Sequence, residues 1–216
     1  MHISRGAAAA CGVLISFAAL SPSWAGETPK EADRPAASDW PCKQILVETV
    51  SPAAVWSGPP IDGVEWSKDE TVAQLVARIS ARRTPVETAE KEIDAFAAAA
   101  GAQKTEKLVA VFAGAFETLN AERAQIIDGL KRFDRKQKAL AKTIRAENAA
   151  IQKKASAEPG MRTDVEPAND PETQKLQLDL RLFEEGRKSL TFACEAPTLV
   201  EQRIFAVARA VQAAMD

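Results

Sequence analysis

The chain has 216 residues, with 28 basic and 30 acidic side chains, a formal charge of −2, one histidine and no tyrosine. Such mild acidity argues against nucleic acid as a partner, because phosphate binding needs a basic surface. The one histidine, His2, lies in a segment that reads as a removable leader, so histidine chemistry is excluded from the rest of the chain.

That leader is residues 1–25. Arg5 and the amino terminus make a positive start, Gly6 to Leu20 form an apolar run too short to span a bilayer, and Pro22 ends it. Ser23-Trp24-Ala25 places small residues at the −3 and −1 positions, so cleavage after Ala25 is expected. A periplasmic or secreted protein follows, with no transmembrane span after cleavage. A lipid on Cys11 and a retained, uncleaved anchor are the alternatives; the first is set aside because the apolar run continues past that residue, the second because the run is too short to span. Cleavage would remove Arg5 and no acid, leaving 27 basic against 30 acidic residues and a formal charge of −3. It would also leave two cysteines, Cys42 and Cys194. In an oxidising compartment an even pair is most simply one disulfide, and that bond is predicted here.

Residues 26–38 are Pro, Ala and charge without periodicity, read as a flexible leader. Residues 39–66 hold Trp40, Trp56 and Trp66 among Pro41, Pro52, Pro59 and Pro60. This is an irregular segment, expected to lie on a larger body with its indoles as interaction anchors. Within it "KQILVETV" has a short extended look, Ser51 and Pro52 open one or two helical turns, and "GPPIDG" is a turn.

Helical punctuation takes over in residues 67–216. Ser67 and Glu70 in "SKDE" fit a capping box for a helix to about Arg82. "TPVE" repeats the device, with Thr84 as cap, Pro85 first and Glu87 closing, for a helix to about Ala100 that Gly101 stops. A heptad then runs through five repeats, with Phe116, Leu130, Ile144 and Ile151 at a and Leu119, Ile126, Phe133 and Leu140 at d. Arg123, Gln137 and Glu147 fill the missing beats. As one helix, Lys104 to Ala157 would be about 80 Å long. The breakers in "EPGMRTDVEPANDP" predict a hairpin connection near 158–171. Asp170 as cap and Pro171 at the first position open a second arm. There Leu176, Leu180, Phe183, Leu190 and Cys194 keep the rhythm with Arg187 in the gap. Pro197 kinks or ends the arm, and Ile204, Ala208, Val211 and Met215 continue the stripe. The predicted fold is all-α: a long antiparallel, coiled-coil-like hairpin with two shorter helices and the irregular N-terminal segment. Closing Cys42 onto Cys194 encloses about 150 residues, a loop whose chain entropy corresponds to about 5 kcal/mol.

The chemical motifs are mostly missing. Without histidine after the leader there is no Ser-His-Asp or Cys-His arrangement, no haem attachment and no His-ligated metal. There is no CxxC, and the prolines of "GPPIDG" remove the amide donors that a phosphate loop needs. Two carboxylate groups, Asp62, Glu65, Asp69 and Glu70, and Asp164, Glu166, Asp170 and Glu172, have oxygen for a hard cation but not EF-hand spacing. Helix capping accounts for them better. Arg123 and Gln137 are expected to set the register of the coil, with their stems packed along the stripe. Trp56 and Trp66 read as packing anchors or as an aromatic clamp. Ala110 and Gly114 have the spacing of close helix packing.

"DWPC" at 39–42 and "FEEGRKSLTFACEAPTLVEQRIFAVARA" at 183–210 resemble segments of an uncharacterised family of exported, helix-rich proteins of Gram-negative bacteria. The resemblance brings no activity; it implies that the two cysteine regions belong together. The expected function is a non-catalytic periplasmic scaffold or interaction protein. It would bind another envelope protein through the hairpin and the Trp-rich segment, with self-association through helical faces as a further expectation. A small-ligand or metal-ion binding module is the alternative, and an enzyme ranks third. No cofactor, catalytic residue or metal ligand is assigned.

Overall fold

The computed structural model describes residues 39–157 and 170–216, which form helices and no strand. The predicted signal segment, the leader to residue 38, and Asp164 and Glu166 of the connection lie outside the described residues. The helices are α1 (Glu70–Ser80), α2 (Val86–Ala99), α3 (Lys104–Ala157), α4 (Pro171–Ala193) and α5 (Ala196–Met215). The long helix has the bounds read from its heptads.

The caps of the first two helices differ from the sequence reading. Ser67 sits in a 3-10 turn, Trp66–Lys68, and Asp69 caps α1, accepting from the Thr71 and Val72 backbone N–H groups. Thr84 does not cap α2; its hydroxyl donates to the Arg78 carbonyl at 2.8 Å and closes the end of α1. Both differences have one cause. Where a turn is only a few residues long, the nearest side-chain oxygen takes whichever backbone group the turn leaves open. Asp170 and Pro171 open α4 as expected, the carboxylate accepting from the Thr173 N–H. Pro197 does end the helix before it. Without an N–H and with a ring that crowds the preceding turn, it stops α4 at Ala193 and restarts the chain as the second residue of α5.

α3 and the α4–α5 arm run antiparallel. Lys154 meets Glu172, Glu147 meets Lys175, Gln137 faces Gly186, and Arg123 meets Glu201, one number rising as the other falls. On α3 the inward row is the predicted one, including the polar beats Arg123, Gln137 and Glu147. On α4 the register is corrected. Leu180 is exposed and Arg187 points outward beside Glu184, while Asp179 and Gly186 face the seam. A Cβ at position 186 would meet the Gln137 amide, so a larger residue there would have to move that side chain.

The core sits at one end of the hairpin. α1, α2, α5 and the first part of α3 bury Leu75, Ile79, Ile93, Leu108, Phe112, Leu119, Ile204 and Val211 together. α4 buries nothing fully. Trp56 enters this core, 8% exposed, stacked on Phe112 with ring centroids 4.1 Å apart, and donates its indole N–H to the Pro59 carbonyl at 2.7 Å. Trp56 is therefore a packing residue and not an exposed anchor. Truncation to alanine removes a core indole, and Trp56→Ala is expected to lower unfolding stability by about 3 kcal/mol or more, read by urea denaturation.

Asp69 generates a pH expectation. The Thr71 hydroxyl, then Lys107 and the Val72 N–H, hold its carboxyl far below the ordinary carboxylate range. A depressed folded value means the stabilisation is present above the unfolded range, about pH 4, and is lost as pH falls through the folded value. Between pH 4 and pH 2 the urea midpoint of Asp69→Ala should therefore fall less steeply than that of the parent chain.

Candidate functional site

Residues 39–50 have no core of their own and lie as a strap along α3. Several connections hold them. Cys42 is bonded to Cys194 with Cα atoms 5.6 Å apart. The Gln44 amide donates to the Cys194 carbonyl. Glu48 accepts from Lys131 at 2.8 Å, and Asp39 from Arg135 at 3.2 Å. The most buried is Arg123, 2% exposed, whose guanidinium donates to Glu201 at 2.6 Å, to the Glu48 carbonyl at 3.1 Å and to the Val47 carbonyl. The cysteine in "DWPC" thus serves structure, tying the strap to the turn between α4 and α5.

The other two tryptophans are half-buried. Trp40 donates to the Gln44 carbonyl at 2.7 Å and shapes the strap's own turn. Trp66 lies flat over Gly114, where a Cβ would come within 2.6 Å of the indole, and donates to Glu117 at 2.7 Å. The small residue at 114 is needed for that close approach, which is the packing role expected of the Ala110/Gly114 spacing. Of the three predicted anchors, Trp56 is in the core and Trp40 and Trp66 are engaged within the chain.

Most described carboxylates of the acidic clusters are likewise engaged, Asp62 being exposed. Asp69 caps α1 and bridges Lys107, Glu65 bridges Lys68, Glu70 accepts from Gln74, Asp170 caps α4 and Glu172 bridges Lys154. Among the described residues no group of three His, Cys, Asp or Glu side chains is placed to hold a metal ion, and no helix is long and apolar enough to cross a membrane.

What the sequence reading missed is on the second arm. The exposed large hydrophobics among the described residues are Ile45 and Val47 on the strap and Leu178, Leu180, Leu182, Phe192, Leu199 and Phe205 on α4 and α5. α1, α2 and α3 expose none. Leu178, Leu182 and Phe192 share one face of α4 with Glu185 and Ser189, at steps of four and three, and this face borders a groove. The groove is the uncovered side of the hairpin seam. Ile126, Gly129 and Phe133 of α3 form one wall, Ser189, Leu190, Ala193 and Ala196 the other, around about 280 Å³ of almost wholly apolar space. It continues past Ala196 into a second hollow of about 310 Å³ lined by Leu119, Leu199 and Arg203. The signal was available as a second stripe, Leu178, Leu182, Phe192 and Leu199. It runs beside the stripe that supplies the seam, and in the sequence the two are not distinguished by period.

No family model, curated protein or solved structure matches this chain.

Two expectations come from the strap. Reduction of Cys42–Cys194 opens a constraint spanning 152 residues and should lower stability by up to about 5 kcal/mol on the chain-entropy scale, measured as the urea midpoint with and without reductant. Arg123→Ala leaves Glu201 and two carbonyls without their donor and should destabilise by about 3–5 kcal/mol. Cys42 should then become reducible under milder conditions, as followed by thiol alkylation.

Proposed function

We propose that this chain is a non-catalytic interaction protein of the cell envelope, exported by its leader, cleaved after Ala25, and engaging another protein through the open side of its hairpin. The observation that carries the reading is the distribution of exposed apolar side chains. They are confined to the strap and the second arm, with Phe192 75% exposed, while α1, α2 and the first part of α3 are packed into a core. Contiguous exposed apolar surface marks contact sites more often than isolated residues do, and aromatic side chains anchor interfaces. The second arm therefore takes the role first given to the tryptophans. The leader's length and small residues before Gly26 support export. A disulfide as the main tie of the strap suits an oxidising compartment.

The test uses exposed positions, so the fold is a control and not a variable. Leu182→Ser with Phe192→Ser should change unfolding stability by no more than about 0.5 kcal/mol. A photo-crosslinker at position 178 or 199, in cells producing the full chain, should give a discrete adduct that this double variant loses. Absence of any adduct from both positions would overturn the reading. Protein recovered from the periplasm should begin at Gly26.

A further inference from the structure

The two sides of the hairpin seam differ in how their cations are satisfied. On the covered side every cation of α3 that meets the strap is paired: Arg123 with Glu201 and two strap carbonyls, Lys131 with Glu48, Arg135 with Asp39. The strap answers those cations with Asp39 and Glu48 and lays the half-buried Leu46 and Val50 inward, while Ile45 and Val47 stay exposed.

The uncovered side has apolar side chains and cations with few acids to answer them. On α3, Arg132 and Lys136 stand three and seven residues beyond the groove-lining Gly129, on its face of the helix. The Arg132 Nη2 lies 3.9 Å from where a Cβ on Gly129 would be, over the mouth of the groove. On α4, Arg181, Glu185, Lys188 and Phe192 follow at steps of four, three and four beside the Leu178–Leu182 row. Arg132, Lys136, Arg181 and Lys188 are exposed, and none has an ion pair or hydrogen bond among the described residues. Glu185 is the one carboxylate in these rows. Glu122, at the body end of the groove, is already bridged to Arg82.

We infer that the open groove binds an amphipathic α-helix of a partner protein, apolar along one stripe and acidic on both flanks, lying between α3 and α4 as the third helix of the hairpin. This rests on the interaction reading above and names the partner's chemistry. Two antiparallel helices leave a concave channel on each side of their seam, and a helix of about 10 Å diameter fits such a channel. Its apolar stripe would meet Ile126, Phe133, Leu182 and Phe192. Its flanking carboxylates would meet two cations on each wall, as opposite charges beside a coiled-coil seam do. A flat membrane surface would meet the rim cations without reaching the floor of the channel.

The probes are two fluorescent 21-residue helical peptides with identical leucine heptads, one flanked by glutamate and one by lysine, titrated against the full mature chain. The Glu-flanked peptide should bind at least tenfold more tightly at low salt, and the preference should shrink as salt is raised. Combined Arg132→Glu, Lys136→Glu, Arg181→Glu and Lys188→Glu should invert the ranking with an unchanged melting curve. Either wall reversed alone should reduce the preference, which keeps the test usable if the fourfold variant folds poorly. Equal affinities, no binding of either peptide, or an unchanged ranking in the variants would overturn the inference. So would anionic vesicles that compete the peptide away, or sedimentation of the free chain as a dimer that excludes it. The interaction reading fails separately, on missing cross-links at positions 178 and 199; the acidic-helix inference fails on missing charge preference.

Discussion

The guanidinium of Arg123 is the constraint on which the arrangement depends. It sits 2% exposed at the junction of α3, α5 and the strap, and satisfies one carboxylate and two backbone carbonyls. A buried cation costs several kcal/mol to desolvate and is tolerated only when its donors are well met. Arg123 meets that condition in one geometry alone, with Glu201 one helix away and residues 47 and 48 laid alongside. The same geometry sets the height at which α5 packs on α3. It also holds down the strap at residues 47 and 48, where Lys131 adds an exposed bridge to Glu48. The disulfide performs the second task at the strap's beginning, where α4 has just ended and Pro197 prevents the helix from running on.

Along the hairpin the remaining polar beats act in the same way. The Gln137 amide lies against Gly186, and Glu147 draws Lys175 across the seam. Lys175 is bridged to both Glu147 and Asp179, and its pKa is raised by hydrogen bonding first to Glu147 and then to Asp179. An all-leucine seam of this length would pair in several registers at similar energy; polar layers at unequal spacing leave one. Each costs some stability in exchange for that single pairing.

Specificity of pairing and asymmetry of covering together place the functional surface. The body end is covered by α1 and α2. Arg203 of α5 donates to the Ile79 and Thr84 carbonyls and locks the loop between those two helices. Beyond it the hairpin has only two helices, which cannot enclose their own seam. The strap closes one side as far as Lys138, through Asp39. The other side keeps its leucines facing outward, with cations that have no partner among the described residues. Strap and groove are thus two answers to one geometric problem, the first supplied by the chain itself.

Much of this was legible in the amino-acid order. Period and punctuation determine where helices start and stop, so the 54 residues of α3, the Asp170 cap and the all-α class could be read directly. The heptads also identified Arg123, Gln137 and Glu147 as interior polar positions, and the cysteine count identified the disulfide. Partner choice within short turns could not be read. Asp69 displaced Ser67 as the cap, and Thr84 turned back to α1, because such hydrogen bonds are decided by distances of an ångström between neighbours of equal chemistry. The seam of α4 was also beyond sequence. Leucines occupy both its faces, and whether Leu180 or Gly186 points inward depends on the space that Gln137 leaves on the opposite helix. Trp56 illustrates the same limit, since a tryptophan beside prolines looks alike whether it meets a partner or Phe112. Local order determines elements and their periodicity; only tertiary packing decides which of two apolar faces is buried and which remains to bind.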